Sequence, residues 1–272
     1  MTEIKSIKQN ENFLFRHCED KNPPLNLYDI HTHRFYELIY ILDGDVTHVV
    51  EDKRYKLRQG DLVIIRPFKS HLIEINSSVR YERYNILFDG EAFGISQDFL
   101  PSELDVLHLK KGGIVYDNFM RLNIYSSVMA DDFFFDIAPA LVKEIFFNIV
   151  SSAGSFEFNE ASSVSPMLST ALHYIADNLL TIDGIKEISN AVFITESYLY
   201  RLFKTELRTS PKKYIMQKRL LHAEKLMREG RRPTEIFAEC GFGDYTTFYR
   251  NYVATFKHPP SENKERKISF LD

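Results

Sequence analysis

His31, His33 and Glu37 are the first residues whose types and spacing suggest chemistry. They occupy odd positions of one apparent strand, together with Phe35 and Ile39, so strand alternation sends them all to one face. Imidazole and carboxylate groups on a shared face can hydrogen-bond a polar small molecule or donate to a metal ion. Tyr40 and Arg66 are further candidates for such a pocket, since a guanidinium can clasp hydroxyls or a carboxylate, although it can equally pair with a core acid. A second constellation lies far downstream, where Glu187-Ile188 precedes Tyr200-Arg201-Leu202-Phe203 and Glu235-Ile236 precedes Tyr249-Arg250-Asn251-Tyr252. Each copy of this repeat reads as a short helix, a tight turn and a second helix. In that arrangement the second helix enters the major groove of DNA and its first half meets base edges.

The elements that must position these groups differ between the two halves. Ile30 to Leu42, Val46 to Glu51, Lys53 to Leu57, Asp61 to Ile65 and Tyr81 to Phe88 are rich in β-branched and aromatic residues and are separated by turn signals such as Asp43-Gly44. They predict a small barrel or sandwich over residues 28–100, preceded by an arm and first strand over 1–27. Beyond Pro101 the texture is helical. Ala138, Leu141, Val142, Ile145, Phe146 and Ile149 form one helix stripe that packs on the barrel, joins two subunits or does both, so 101–150 is a possible dimerisation segment. Residues 151–166, rich in Ser, Asn, Gly and Ala, read as a linker.

From Met167 onward helices dominate, with candidates at Met167–Leu179, Ile185–Val192, Glu196–Leu207, Pro211–Glu229, Pro233–Cys240 and Asp244–Thr255. Thr195, Ser210 and Asp244 are the expected amino-terminal caps, and Gly241 supplies the positive φ of the second turn. Leu199, Leu202 and Phe203 form the buried stripe of the first candidate recognition helix, with Phe248 and Tyr252 in the same role in the second. Glu196, Ser197, Tyr200, Arg201 and Lys204, then Tyr245, Thr246, Tyr249 and Arg250, are left to meet bases and phosphates.

Composition at first argues against nucleic acid. The 272 residues carry 34 basic and 38 acidic side chains, a net charge of −4, with 44 % apolar residues. That apolar fraction excludes a disordered chain, and 11 Gly with 10 Pro exclude collagen. The average hides a division, however, because residues 1–163 sum to −8 and residues 164–272 to +4. Cys18 and Cys240 form neither a disulfide framework nor a CxxC pair, which fits a reducing cytosol. The amino terminus has no secretory pattern, and the longest apolar runs, Leu38 to Leu42 and Phe133 to Val142, are far short of the ~20 residues that span a bilayer. A soluble cytoplasmic protein with no membrane partner is expected.

The stretch from Thr195 to Met227, followed by Glu235 to Glu262, resembles the DNA-binding domain of AraC/XylS-type transcription regulators. Matching positions include Leu199, Arg201, Phe203, Ser210, Pro211, Arg219, Ile236, Gly241, Asp244, Phe248, Arg250 and Pro260. The resemblance implies a double helix-turn-helix domain over 167–268, with a first unit at 185–206, a linker helix at 211–229 and a second unit at 233–256. Several positions depart from the pattern. Ser189 and Phe237 replace small residues, Phe193 sits in the first turn, and Arg208 and Lys257 stand where glycines end the recognition helices. Val253-Ala254 replaces a basic pair for which Lys264, Arg266 and Lys267 could compensate.

In the amino-terminal half, HxHxxxExxxxxxG from His31 to Gly44 and GDLVIIRPFKSH ending at His71 resemble the two signature motifs of cupin barrels, with Lys69 in place of a usual Gly. That resemblance implies a barrel whose two His, Glu and final His can hold a divalent ion such as Zn, Fe, Ni or Mn. Joined to an AraC-type domain, such a barrel is usually an effector sensor without catalytic metal chemistry. The leading expectation is therefore an effector pocket of His31, His33, Glu37, Tyr40, Arg66 and His71 for a small molecule such as a carbohydrate, with no cofactor. A bound metal and hydrogen-bonded histidines without a ligand are the competing readings. The fold class expected is α+β and multidomain, a cupin-like barrel with flanking helices before an all-α reader. The function expected is sequence-specific transcription regulation, by activation, as a homodimer on operator DNA with RNA polymerase as a further partner. Each monomer would read roughly two turns of DNA. The alternative is a metal-dependent cupin enzyme carrying a helical interaction domain.

Overall fold

Alternation of side chains along the strands sorts the amino-terminal half into layers. The computed structural model describes residues 2–25, 28–95, 99–100, 104–152, 157–158 and 161–262. Strands β1 (Thr2–Gln9), β2 (Phe13–Asp20), β3 (Tyr36–Asp43), β6 (Asp61–Ile65), β8 (Tyr81–Phe88), β9 (Val106–His108) and β10 (Glu157–Phe158) form a seven-stranded sheet in the order β1-β2-β8-β3-β6-β9-β10. Strands β4 (Val46–Val50), β5 (Lys53–Leu57), β7 (His71–Ile75) and β11 (Ser162–Ser163) form a second sheet, ordered β11-β5-β4-β7. All of these pairings are antiparallel.

On β3, Ile39 and Ile41 face the space between the sheets and meet Val46 and Val50 of β4, Val63 and Ile65 of β6, and Ile73 and Ile75 of β7. Tyr36, Leu38 and Tyr40 face the other way, onto helices α1 (Ile114–Val128) and α2 (Asp131–Ser151). The stripe Ala138, Leu141, Val142, Ile145, Phe146 and Ile149 is no more than 3 % exposed because it packs on this face. Packing on the barrel therefore accounts for the burial of this stripe within one chain. Within the expected linker, the described residues Glu157–Phe158 and Ser162–Ser163 pair as strands with β9 and β5.

The predicted strand Ile30 to Leu42 is broken. Regular pairing begins at Tyr36, whereas His31 makes an isolated bridge to His71, with His31 N–H donating to His71 O at 3.0 Å and the reverse bond at 2.9 Å. The positive φ of the turn before His71 falls on Phe68, at 67°, rather than on Lys69, and Phe68 N–H donates to His33 O.

The carboxyl-terminal half is helical: α3 (Pro166–Asn178), α4 (Ile185–Ala191), α5 (Glu196–Glu206), α6 (Pro211–Arg228), α7 (Pro233–Ile236) and α8 (Tyr245–Phe256). Thr195, Ser210 and Asp244 cap α5, α6 and α8 by accepting from the backbone N–H groups of Tyr198, Lys213 and Thr247. The predicted helix Pro233–Cys240 stops at Ile236 and continues as turns. Ser189, although buried, satisfies its hydroxyl on Lys186 O.

Lys257 ends α8 in the left-handed region, at φ 61°, where a Cβ is strained. Lys257→Gly is therefore expected to stabilise the second unit by about 0.5–1 kcal/mol. The check is chemical denaturation, in which an unchanged or lower midpoint would show that the strain is relieved elsewhere.

The two halves share a core. Ile30, Val49 and Leu72, which point away from the barrel interior, pack in one apolar cluster with Leu168, Leu172, Ile175, Phe203 and Tyr214 of the helical half. The second sheet thus has the barrel core on one face and the helices on the other.

Candidate effector site and nucleic-acid interface

His31, His33, Glu37 and His71 come together: one ligand atom from each lies within 4.8 Å of all the others. The His31–His71 bridge brings the two motifs side by side, and a Thr32–Ser70 hydroxyl contact of 2.8 Å ties the same segments. The Nδ1 atoms of His31, His33 and His71 each lie 3.1 Å from a backbone carbonyl, those of Asp29, Phe35 and Lys69 respectively. A carbonyl only accepts, so Nδ1 is the donor in each of these contacts, and the Nε2 atoms of His33 and His71 face the Glu37 carboxylate. Asn85 Nδ2 donates to Glu37 Oε1 at 2.9 Å, leaving Oε2 at 3.1 Å from His33 Nε2 and 3.2 Å from His71 Nε2. Burial, reinforced by the neighbouring rings, lowers the His31 imidazole to about 3, and burial lowers His33 as well. Burial alone would raise the Glu37 carboxyl, but the His33 and His71 rings outweigh it and hold it well below the usual range.

The other expected pocket residues lie elsewhere. Tyr40 is on the opposite face of β3, stacked at 5.4 Å on Phe119 of α1, because its even position reverses its direction. The Arg66 guanidinium donates to Asp105 Oδ1 at 2.8 Å and to Leu104 O. Sequence reading missed His48, Tyr81 and Asn85, which point between the sheets beside the cluster. His48 is fully buried, stacks 5.7 Å from the His71 ring, and has no hydrogen-bond partner on either ring nitrogen. Burial pushes it down to about 3. Tyr81 Oη, Asn85 Oδ1 and His71 Nε2 are likewise buried without a hydrogen bond. The missed signal was parity: His48 is in phase with Val46 and Val50, and Asn85 pairs in register with Ile39.

In the helical half, Glu196, Ser197, Arg201 and Lys204 are exposed along α5, and the Arg201 guanidinium lies 4.8 Å from the Tyr198 ring. Tyr200 is half-buried against the core. On α8, Thr246, Tyr249 and Arg250 are exposed, but Tyr245 packs edge-on against Phe237 at 5.8 Å. The large Phe237, where a small residue was expected, thus draws one candidate DNA-facing side chain into the core. Phe193, at φ 57° in the first turn, is 94 % exposed. Lys264, Arg266 and Lys267 lie outside the described residues. A role for Arg219 was also not foreseen. Its guanidinium donates to Leu179 O, Ile182 O and Gly241 O at 2.6–2.8 Å, tying the connection that leads from α3 into the first unit and the turn of the second unit to α6. Gly241, at φ 80°, has no room for a Cβ, which would meet Arg219 at 2.6 Å.

Charged contacts join the halves. Lys218 of α6 reaches Glu51 Oε1 at 2.7 Å and Phe68 O at 2.8 Å. Arg34 lies 2.6 Å from Asp89 and 3.3 Å from Glu224 of α6, and Arg228 lies 3.0 Å from Asp89. Arg208, after α5, donates to Tyr28 O and Leu25 O. No described helix is long and apolar enough to cross a membrane.

A buried sensor-like barrel fused to paired helix-turn-helix units defines a transcription regulator that couples ligand binding to DNA reading. Comparison with known proteins gives the same class. The AraC-like ligand binding domain profile matches residues 17–103, and a helix-turn-helix domain profile matches residues 188–266. The HTH-type transcriptional activator RhaS of Klebsiella pneumoniae (strain 342) is 24 % identical over 259 residues, 91 % of each chain. RhaS of Escherichia coli (strain K12 / DH10B) is 22 % identical over 251 residues, 89 % of each chain. Among solved structures, unsaturated fatty acid bound wild-type ToxT from Vibrio cholerae strain SCE256 aligns over 94 % of this chain and 95 % of that one, at 13 % identity and a TM-score of 0.41. The chain belongs to the AraC family of transcription regulators. It is an effector-responsive DNA-binding protein, not an enzyme.

Proposed function

We propose that the protein is a cytoplasmic activator that binds operator DNA as a homodimer, contacts RNA polymerase and responds to a small polar molecule, a carbohydrate being the leading class, between the two barrel sheets. The observation that carries the sensing role is the set of orphaned polar atoms on His48, Tyr81 and Asn85. A buried polar atom without a partner costs about 1–3 kcal/mol, and ligand hydroxyls would supply the missing partners. The activator reading draws on the RhaS relatives, whose names describe them as activators. For the dimer, the outer faces of α1 and α2 offer Ile124, Val128 and Phe133, which are 55–72 % exposed.

DNA reading falls to Glu196, Ser197, Tyr200, Arg201 and Lys204 of α5 and to Thr246, Tyr249 and Arg250 of α8, with Tyr245 at their edge. The test is selection of bound fragments from genomic DNA, repeated with candidate sugars, then affinity measurements with variants. Arg201→Ala and Arg250→Ala should each weaken specific binding by about 1–3 kcal/mol if the Arg makes a bidentate base contact. Unchanged operator affinity in both would sink the assigned face. A monomer at every concentration by light scattering would remove the dimer.

A further inference from the structure

We propose that the Phe193 ring reads a thymine methyl group in the major groove, as a specificity contact of the first helix-turn-helix unit. The proposal rests on α5 as the recognition helix of that unit and adds an apolar base contact to its polar ones.

The first argument is a strain that the chain does not offset. Phe193 sits at φ 57°, in the left-handed region that strains a residue with a Cβ. Its N–H donates to Asn190 O at 3.2 Å, and the next N–H, of Ile194, donates to Ser189 O at 2.9 Å. These two bonds close the end of α4 and fix the backbone of the turn. In the second unit the same pair of bonds runs from Gly241 to Ala238 O and from Phe242 to Phe237 O, and there the left-handed residue is a glycine. The first unit thus places a benzyl group where its own repeat needs none. The ring is 94 % exposed, so burial within the chain compensates neither the strain nor the contact with water. A ligand that covers the ring would do so.

The second argument is position. Phe193 shortly precedes Thr195, whose hydroxyl caps α5, and shares a shallow surface depression with Asn190, Thr195 and Tyr198. The Arg201 guanidinium lies over the Tyr198 ring at 4.8 Å. A strip therefore runs from the turn through Tyr198 to Arg201, the side chain assigned a base contact above. The exposed residues beside the ring, Asn190, Ala191, Thr195, Glu196 and Ser197, are small or polar. An isolated aromatic group with such neighbours does not make the apolar centre of a protein interface. It fits a polar groove with a single apolar feature, and in the major groove that feature is the thymine 5-methyl group.

The test uses the full chain and a duplex selected from genomic DNA, in which each thymidine is replaced in turn by deoxyuridine. That change removes the 5-methyl group and keeps base pairing. One replacement, in the half-site whose specificity Arg201→Ala relaxes, should weaken binding by the parent chain about fourfold, the worth of one methyl group moved out of water. Phe193→Gly and Phe193→Asn should bind the unmodified duplex at least about fourfold more weakly and be indifferent to that replacement. Glycine and asparagine both accept the left-handed region, so each variant should unfold in urea at a midpoint no lower than that of the parent. Affinity lost while stability is kept separates a base contact from a structural role. A lower midpoint in both variants, unchanged affinity in both, or an undiminished response of both to deoxyuridine would each overturn the proposal. Intact affinity with lost activation of transcription would overturn it in favour of a protein contact. Arg201→Ala binding as tightly as the parent would sink the recognition face itself, whereas a normal Arg201 effect beside an absent Phe193 effect would remove only the thymine contact.

Discussion

Arg219→Ala is expected to loosen the whole DNA reader, lowering its stability by about 3 kcal/mol or more and abolishing specific DNA binding with it. One guanidinium closes three carbonyls that come from the end of α3, the loop after it and the turn of the second helix-turn-helix unit. Hydrogen bonds to a charged group contribute about 1.5–3 kcal/mol each, and partial access of water to the freed carbonyls reduces the sum. The geometry of the two recognition helices depends on the same contacts, so affinity for an operator spanning both half-sites should fall further than stability alone requires. Urea denaturation and operator titration check the two effects separately. Arg219→Lys should rescue little, because a single ammonium cannot reproduce the planar fork that reaches three carbonyls. Full DNA affinity in Arg219→Ala would show that the units hold their spacing without it.

Asp20→Ala should destabilise the sensor by about 3–5 kcal/mol, since it leaves Arg83 buried without its counter-charge. Arg83 is 3 % exposed and Asp20 1 %, with Nη1 to Oδ2 at 2.6 Å. The same carboxylate accepts from Thr2 and Tyr28 hydroxyls. Burial would raise the Asp20 carboxyl, but those contacts outweigh it and the net direction is downward. A folded-state value below the unfolded one gives stabilisation that is complete at neutral pH and lost as pH falls through the folded value. The difference in unfolding free energy between parent and variant should therefore be full near pH 7 and shrink below about pH 4. A gap that is independent of pH would show that packing, not charge, dominates.

Much of the fold could be read from residue order because its signals are local. Caps at Thr195, Ser210 and Asp244, the turn at Gly241 and the apolar stripe of α2 each depend on neighbours within one or two helical turns. The cluster of His31, His33, Glu37 and His71 was legible through motif resemblance. Strand parity does not by itself align these side chains, since the chain leaves strand geometry between the His31 bridge and Tyr36. Parity does separate Tyr40 from Glu37, and it would have assigned His48 and Asn85 inward had they been asked the same question. Arg66 found its partner in Asp105, a residue 39 positions away on the approach to β9, which no local pattern reveals. Arg219 was visible as a residue type at a family position, but its three acceptors are contributed by separate turns whose juxtaposition is tertiary.

The apolar cluster joining Ile30, Val49 and Leu72 to α3, α5 and α6 carries a consequence for how such a chain changes over generations. A cut between residues 151 and 166 divides the sequence into two tidy parts, yet the packing treats three sensor residues as belonging to the reader. An exchange of sensors between related regulators by recombination at that point would transplant half of a core and leave its complement behind. Drift at Leu72 must then be answered by drift at a position such as Leu168 or Phe203, nearly a hundred or more residues downstream. Responsiveness to a new signal is most easily acquired between the sheets, where side chains can vary without disturbing that shared inheritance.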